Sequence, residues 1–266
     1  MAKQLIEAVA FVDSVAAMTG HPALMEAIWL GAVDLVRYLL DRDATLGVKA
    51  SYGFSIVEHF DYEAKLNTGK SDGFLKMKAL IDERRTQLAA IVERQTLMAA
   101  VVAKGVAGVR QALASGADVN ERAPITGGFN NDHTPLHVAA RDGATEIAAL
   151  LIAAGAAVNA VEPTFGAVPL HKSVYNGHAD ITRLLASAPG IDLDFQGATN
   201  GYSPLHDAIW HGFADCADVL IAAGARLDRR GHDGRTPLDL ARRVWGDEHP
   251  TTASIVASLA AKRASK

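Results

Sequence analysis

Thr134-Pro135-Leu136-His137, Val168-Pro169-Leu170-His171, Ser203-Pro204-Leu205-His206 and Thr236-Pro237-Leu238-Asp239 are four versions of one phrase, and their prolines stand 34, 35 and 33 residues apart. A period of this length marks stacked copies of one small supersecondary unit. Each copy continues alike, with alanines, a glycine at Gly143, Gly177 or Gly212, and an aliphatic stretch. It then closes on Val158-Asn159, on Ile191-Asp192 with Leu193-Asp194, or on Leu227-Asp228.

The cleanest copy is residues 132–165. Thr134 is placed to cap a helix, its hydroxyl accepting from an orphan backbone N–H, and Pro135 suits the first helical position because its missing N–H costs nothing there. Leu136, Ala139 and Ala140 form the inward face of a short helix that ends at Gly143, where a left-handed turn is needed. A second helix is predicted over Thr145–Ala153, with Ile147, Leu150 and Leu151 at helical spacing as its buried face. Gly155 stops it, and Ala157-Val158-Asn159 leads into an extended loop toward the next copy. No such unit buries its apolar face alone, so the copies stack on one continuous core.

Two short helices and a projecting loop, with Thr-Pro-Leu-His, paired alanines, a mid-repeat glycine and a Gly-Ala-x-Val-Asn ending, closely resemble the ankyrin repeat. The resemblance implies an all-α solenoid of about six or seven helix-turn-helix units. Its expected parts are a capping helix at 1–20, a repeat at 21–50, a degenerate repeat with an insertion at 51–93, and repeats at 94–131, 132–165, 166–199 and 200–232. A capping repeat at 233–266 completes it. The first, second and last repeats are degenerate. Within 51–93, helices are predicted over 55–62 and 74–85, separated by the polar stretch 63–73. The resemblance also assigns the histidine of the repeated phrase to hydrogen bonding with the backbone of a neighbouring loop.

The chain has 266 residues, 49% hydrophobic but only 6% aromatic, and a net charge of −4. Alanine dominates the apolar set, which suits thin helices packed closely. The charge is uneven: residues 229–266 hold eight Lys or Arg against four Asp or Glu. The single cysteine, Cys216, takes the place of Ile147 and Ile181 and reads as a small buried hydrophobe in a reducing compartment. Glu7 and Asp13 interrupt the apolar run 5–18. That run is therefore not read as a signal peptide, and a cytoplasmic chain is expected. No uncharged stretch approaches the roughly 18 to 20 residues needed to span a bilayer, so no membrane insertion is expected.

Ala64-Lys65-Leu66-Asn67-Thr68-Gly69-Lys70-Ser71 imitates a phosphate loop. Glu58-His59-Phe60-Asp61-Tyr62-Glu63 before it is too polar and acidic for the buried strand such a loop requires. His133, His137, His171, His206, His211 and His232 invite a metal reading, but the phrase histidines fall one per repeat, about 10 Å apart, whereas Zn–N distances of about 2 Å need convergence. No nucleophile elbow or paired-carboxylate signature is present, so no catalytic residue, metal or cofactor is assigned. Gly127-Gly128, in the long loop 121–133, reads as turn chemistry. Arg229, Arg230, Arg235, Arg242 and Arg243 form a basic end. The overall acidity and the absence of a groove-reading module speak against a nucleic-acid partner.

The positions that the fold does not dictate remain. By the resemblance, the exposed flank of each first helix and the loop tips line a concave, partner-binding face. The first-helix positions are Trp29, Lys104, Arg141, Asp142, Lys172, Tyr175, Asn176, Asp207, Trp210, His211 and Arg243. The loop tips supply Phe129, Phe165, Tyr202, Arg229, Arg230 and His232. Aromatic and arginine side chains are the residues that carry binding energy at interfaces. The expectation is a monomeric module that binds another protein through this face. The alternative is an enzyme or small-molecule binder working in the groove near Tyr175, Asn176, Trp210 and His211.

Overall fold

Pro135, Pro169, Pro204 and Pro237 each open a helix at its first position. There the fixed φ is already helical and the missing N–H leaves no carbonyl unpaired. A computed structural model of the chain describes residues 21–50, 53–66, 72–124 and 130–264. Among these are fourteen helices and two isolated β-bridges, Lys49 with Ser55 and Glu162 with Ala167. The described fold is all-α. None of its helices is long and apolar enough to cross a membrane. The expected capping helix at 1–20, Gly127-Gly128, Phe129 and residues 67–71 of the phosphate-loop imitation lie outside the described residues.

The chain divides into two units, Met1–Arg94 with Ala123–Asn131, and Gln95–Arg122 with Asp132–Lys266. The first contains α1 (Ala23–Trp29), α2 (Val33–Leu40), α3 (Ile56–Leu66) and α4 (Asp72–Arg94). Leu24, Met25, Val36, Leu39, Ile56, Phe60 and Ile81 are fully or almost fully buried in its core. The Phe60 and Phe74 rings stack there with centroids 4.9 Å apart. Both helices of the degenerate region run longer than predicted. In α4 the apolar period fades after Arg85, yet no Gly or Pro follows before Arg94 and the residues there are mostly good helix formers, so the helix continues. The stretch before the imitation phosphate loop is helix α3, not the strand that phosphate binding needs.

The second unit is a row of helical hairpins: α5 (Thr96–Val102) with α6 (Val106–Ala114), α7 (Pro135–Arg141) with α8 (Thr145–Ala153), and α9 (Pro169–Tyr175) with α10 (Ala179–Ala186). Then come α11 (Pro204–Trp210) with α12 (Ala214–Ala222) and α13 (Pro237–Val244) with α14 (Pro250–Ala264). First helices pack on first helices and second helices on second helices, from one hairpin to the next. Leu136, Ile147, Leu151, Leu170, Ile181, Leu185, Leu205, Leu220, Leu240 and Ile255 are all buried in the shared core. Burying one such side chain contributes about 1.5–3 kcal/mol. Cys216 is buried in this row, against the Thr182 hydroxyl at 3.7 Å, and burial pushes its thiol pKa up.

Two ladders of hydrogen bonds tie the hairpins together. Along one edge, each phrase histidine faces two ways. The backbone N–H of Thr134, Val168 or Ser203 donates to Nδ1 of His137, His171 or His206 at 3.3–3.4 Å. With Nδ1 an acceptor, Nε2 carries the proton and donates forward to the carbonyl of Ala167, Tyr202 or Arg235 in the next projecting loop, at 3.1–3.2 Å. At Asp239 the carboxylate keeps the local half of this role, accepting from Thr236 N at 2.9 Å, and donates nothing forward. Along the other edge, the Asn120 and Asn159 side-chain oxygens accept the backbone N–H of Ala157 at 2.8 Å and Asp192 at 2.9 Å. Of the two candidate aspartates in the following copy, Asp194 plays this part, accepting from Arg226 N at 2.7 Å, whereas Asp192 bonds only locally to Asp194 N at 3.0 Å.

Gly177 does two things at once. Its φ of +73° makes the turn between α9 and α10, and a Cβ there would lie 2.7 Å from the Phe213 ring of the next hairpin. Gly177→Ala is therefore expected to cost more than the backbone strain alone, about 3 kcal/mol. Gly224→Ala, at φ +94° with open space around it, should cost only about 1 kcal/mol. Thermal melts of the two variants side by side check this difference.

The histidine ladder also sets a pH dependence. Burial holds His137 at about 3 and His171 at about 4, and lowers His206, against an ordinary 6.5. Below 6.5 the unfolded chain takes up protons that the folded chain refuses, so stability is full above that pH and is lost as pH falls toward the folded values. The slope is expected to grow from a small value at pH 7 to about 1.4 kcal/mol per pH unit for each of His137 and His171 near pH 5, read from urea titrations across that range.

Candidate functional site

In α9 the residues Pro169, Leu170, His171, Ser173 and Val174 are buried, which leaves Lys172 and Tyr175 to face outward. The same arithmetic one hairpin on leaves Asp207 and Trp210 from α11, and His211 just beyond it. Tyr175 is 57% exposed and Trp210 45%. The Tyr175 ring meets the His211 ring edge-on at 4.2 Å, joining adjacent hairpins across the surface. Trp210 meets Tyr202 edge-on at 6.3 Å, and the Arg243 guanidinium lies 5.9 Å from the Trp210 ring centre. A shallow hollow of about 320 Å³, lined by Asn200, Tyr202, Trp210, His232 and Asp233, opens beside the indole. The expected first-helix aromatics of the second unit thus form one patch. Trp29, in the first unit, is also exposed and stacks on His59 at 5.7 Å.

Other predicted positions are already engaged by the chain itself. Arg141 pairs with Asp142 through two bonds of 2.6 and 3.0 Å, which draws the Asp142 pKa down, and Lys104 Nζ donates to the Asp142 carbonyl at 2.9 Å. Asn176 donates to the Lys172 carbonyl at 2.8 Å. Tyr202, expected at an exposed loop tip, is 7% exposed. Its ring covers Gly231 and its hydroxyl donates to Asp233 Oδ2 at 2.8 Å, so it braces one projecting loop against the next. His232 packs on Gly201, and its N–H donates to the Asn200 carbonyl at 2.8 Å. Of the basic end, Arg235 pairs with Asp233 at 2.8 Å, Arg242 with Asp247 at 2.7 Å, and Arg230 donates to the Gly234 carbonyl at 2.5 Å. Arg229 is half-buried, its Nε without a hydrogen-bond partner among the described residues.

Lys172 differs most from its expected role. It reaches the carboxylate of Glu162, a residue absent from the predicted site, at 3.1 Å. Glu162 is fully buried in the loop before α9 and accepts from the N–H groups of Thr164 at 2.7 Å, Phe165 at 3.1 Å and Ala167 at 3.3 Å. Burial works to raise its pKa, but Lys172 and the amides outweigh it and hold the carboxyl below the usual range. Lys172 also lies 5.2 Å from the centre of the exposed Phe165 ring. The pair shapes the loop tip that presents Phe165. Only the spacing of an acidic residue ten positions before a helix lysine hints at it in the sequence.

The ladder histidines do not converge, and among the described residues no group of three His, Cys, Asp or Glu side chains is placed to hold a metal ion. What converges is a ring-rich, partly charged surface across neighbouring hairpins. Comparison with known proteins agrees with this repeat organisation. A family model for ankyrin repeats, in three copies, matches residues 97–197 and 159–231, together just over half of the chain. Rabankyrin-5 of Mus musculus is 41% identical over 96 residues, which is 33% of this chain and 8% of the relative. Tyrosine-protein kinase HTK16 of Hydra vulgaris is 35% identical over 108 residues, 41% of this chain and 14% of the relative. The chain therefore spans only about a tenth of the length of these relatives.

Breaking the buried pair tests its weight. Lys172→Met leaves Glu162 without its cation and is expected to lower stability by about 3 kcal/mol. Adding Glu162→Gln should recover part of that loss. Chemical denaturation of the two single variants and the double variant gives the coupling between the two residues.

Proposed function

Because the chain belongs to the ankyrin-repeat family, we propose that it binds another protein through the outward face of α9, α11 and α13 and the loop tips beside them. Ankyrin repeats are generally protein–protein interaction modules. The observation that carries the reading is the contact of Tyr175 with His211 and of Trp210 with Arg243 over the buried Tyr202, which offers two large exposed rings and a cation on one rigid surface. Rings of this kind bury much area with little loss of rotamer freedom, and interface hot spots are enriched in Trp, Tyr and Arg. The ladders fix the hairpins before any partner arrives, so association has less ordering to do. The partner surface is complementary in shape to a ridge of rings flanked by Lys172, Asp207 and Arg243.

The test is Tyr175→Ala combined with Trp210→Ala. Each is expected to weaken binding by about 2 kcal/mol, roughly thirtyfold apiece. Capture of the bound protein from lysate by the immobilised chain, identified by mass spectrometry, should be lost while circular dichroism stays unchanged. Undiminished capture by the double variant would remove both rings from the interface.

A further inference from the structure

The residue after each ladder position is equivalent from hairpin to hairpin: Val138, Lys172, Asp207 and Leu240. At Lys172 the fold builds an ion pair, with Glu162 in the preceding loop as partner. That loop is closed by the Glu162 N–H donating to the Ala167 carbonyl at 2.9 Å, and the next one by Gly197 donating to Tyr202 at the same 2.9 Å. Gly197 therefore stands where Glu162 stands, and Asp207 where Lys172 stands. The charge has been reversed, and the place of its partner has no side chain.

Asp207 is half-buried, and among the described residues no side chain or backbone group bonds to its carboxylate. Burial alone pushes its pKa up to about 7, with no neighbouring cation to offset it. A carboxylate in that state is destabilising to the free chain, since desolvation of the charge is uncompensated. It lies one helical turn before Trp210 and so shares its face, with Tyr175 at the position equivalent to Trp210 on the preceding hairpin.

We propose that a partner arginine completes this ion pair: its guanidinium passes the Tyr175 and Trp210 rings and ends on Asp207. The proposal rests on the protein-binding reading above and adds the chemistry of what is bound. Arginine suits the place better than lysine. Its planar fork pairs two-on-two with a carboxylate, stacks on aromatic faces and sheds water more readily than an ammonium. Arg243 already shows a guanidinium beside the Trp210 ring. An anionic partner such as nucleic acid would be repelled at Asp207.

The probe is a phage-displayed random peptide library selected on the full chain, followed by fluorescence polarisation with the selected peptides. Peptides selected on the unaltered chain should share an arginine. Asp207→Asn should weaken them at least tenfold, and so should Arg→Gln in the peptide, while the two changes together should weaken binding no more than either alone. Asp207→Lys should instead select acidic peptides. The thermal midpoint of Asp207→Asn should equal or exceed that of the unaltered chain, because an uncompensated carboxylate has been removed. A clear fall in the midpoint would mean that the chain itself satisfies Asp207, and would overturn the proposal. Peptides that need Tyr175 and Trp210 but ignore Asp207→Asn would overturn the arginine assignment and keep the ring surface. Failure to select any peptide that depends on these rings or on Asp207 would overturn both.

Discussion

A neutral imidazole with a donor on one side and an acceptor on the other is the interaction on which the second unit depends. His137, His171 and His206 each take the N–H that opens their own helix and give a proton to the loop of the following hairpin. A helix terminus and a projecting loop both carry backbone groups that a thin, alanine-rich unit has no other means of satisfying in a dry setting. One side chain settles both, and does so only while uncharged. The local cap and the contact between hairpins are thus a single bond network, which makes neighbouring hairpins cooperative. The network ends in a chemically sensible way, since Asp239 retains the capping acceptor and gives up the forward donor.

The asparagine ladder on the opposite edge applies the same logic to the second turn of each hairpin. With both edges pinned and the aliphatic face buried between them, few positions of each repeat remain free of structural duty. They include Tyr175, Trp210 and Arg243, at equivalent places on the first helices, where the residue changes character from hairpin to hairpin. A scaffold that fixes spacing this firmly allows surface chemistry to vary from hairpin to hairpin without loss of fold. Charge reversal between Lys172 and Asp207 is one result. The engagement of Lys172 by Glu162 also shows that outward placement on a helix does not by itself leave a side chain available to a partner.

Much of this was legible in residue order. The period, the proline starts, the α8 boundaries and the burial of Leu136, Ile147 and Leu151 follow from local rules that the tertiary structure does not override, whereas Leu150, expected on the same buried face, is only half-buried. The differences at Tyr202, Lys172 and the closing aspartates share one cause. The resemblance puts Tyr202 at a partner-facing loop tip, but Gly231 in the next loop leaves room for its ring to lie flat. Lys172 is a partner-facing position by the resemblance, and its ion-pair partner Glu162 sits in another element. The choice between Asp192 and Asp194 was open because both occupy plausible ends of the aliphatic stretch, and only the position of Arg226 in the next hairpin separates them. The α4 boundary was missed for a different reason, a helix held by propensity where the apolar pattern has faded.

The repeat, its length, its caps and most of its buried face are written in the residue order, because they depend on contacts within one hairpin and between identical positions of adjacent ones. Which charges are neutralised inside the chain, as at Lys172, and which are left over, as at Asp207, follows from how neighbouring hairpins meet. Glu162, Lys172, Gly197 and Asp207 are unremarkable as letters. Their meaning depends on what a loop from a neighbouring hairpin places within about 3 Å, the hydrogen-bonding distance over which a carboxylate either finds a partner or lacks one.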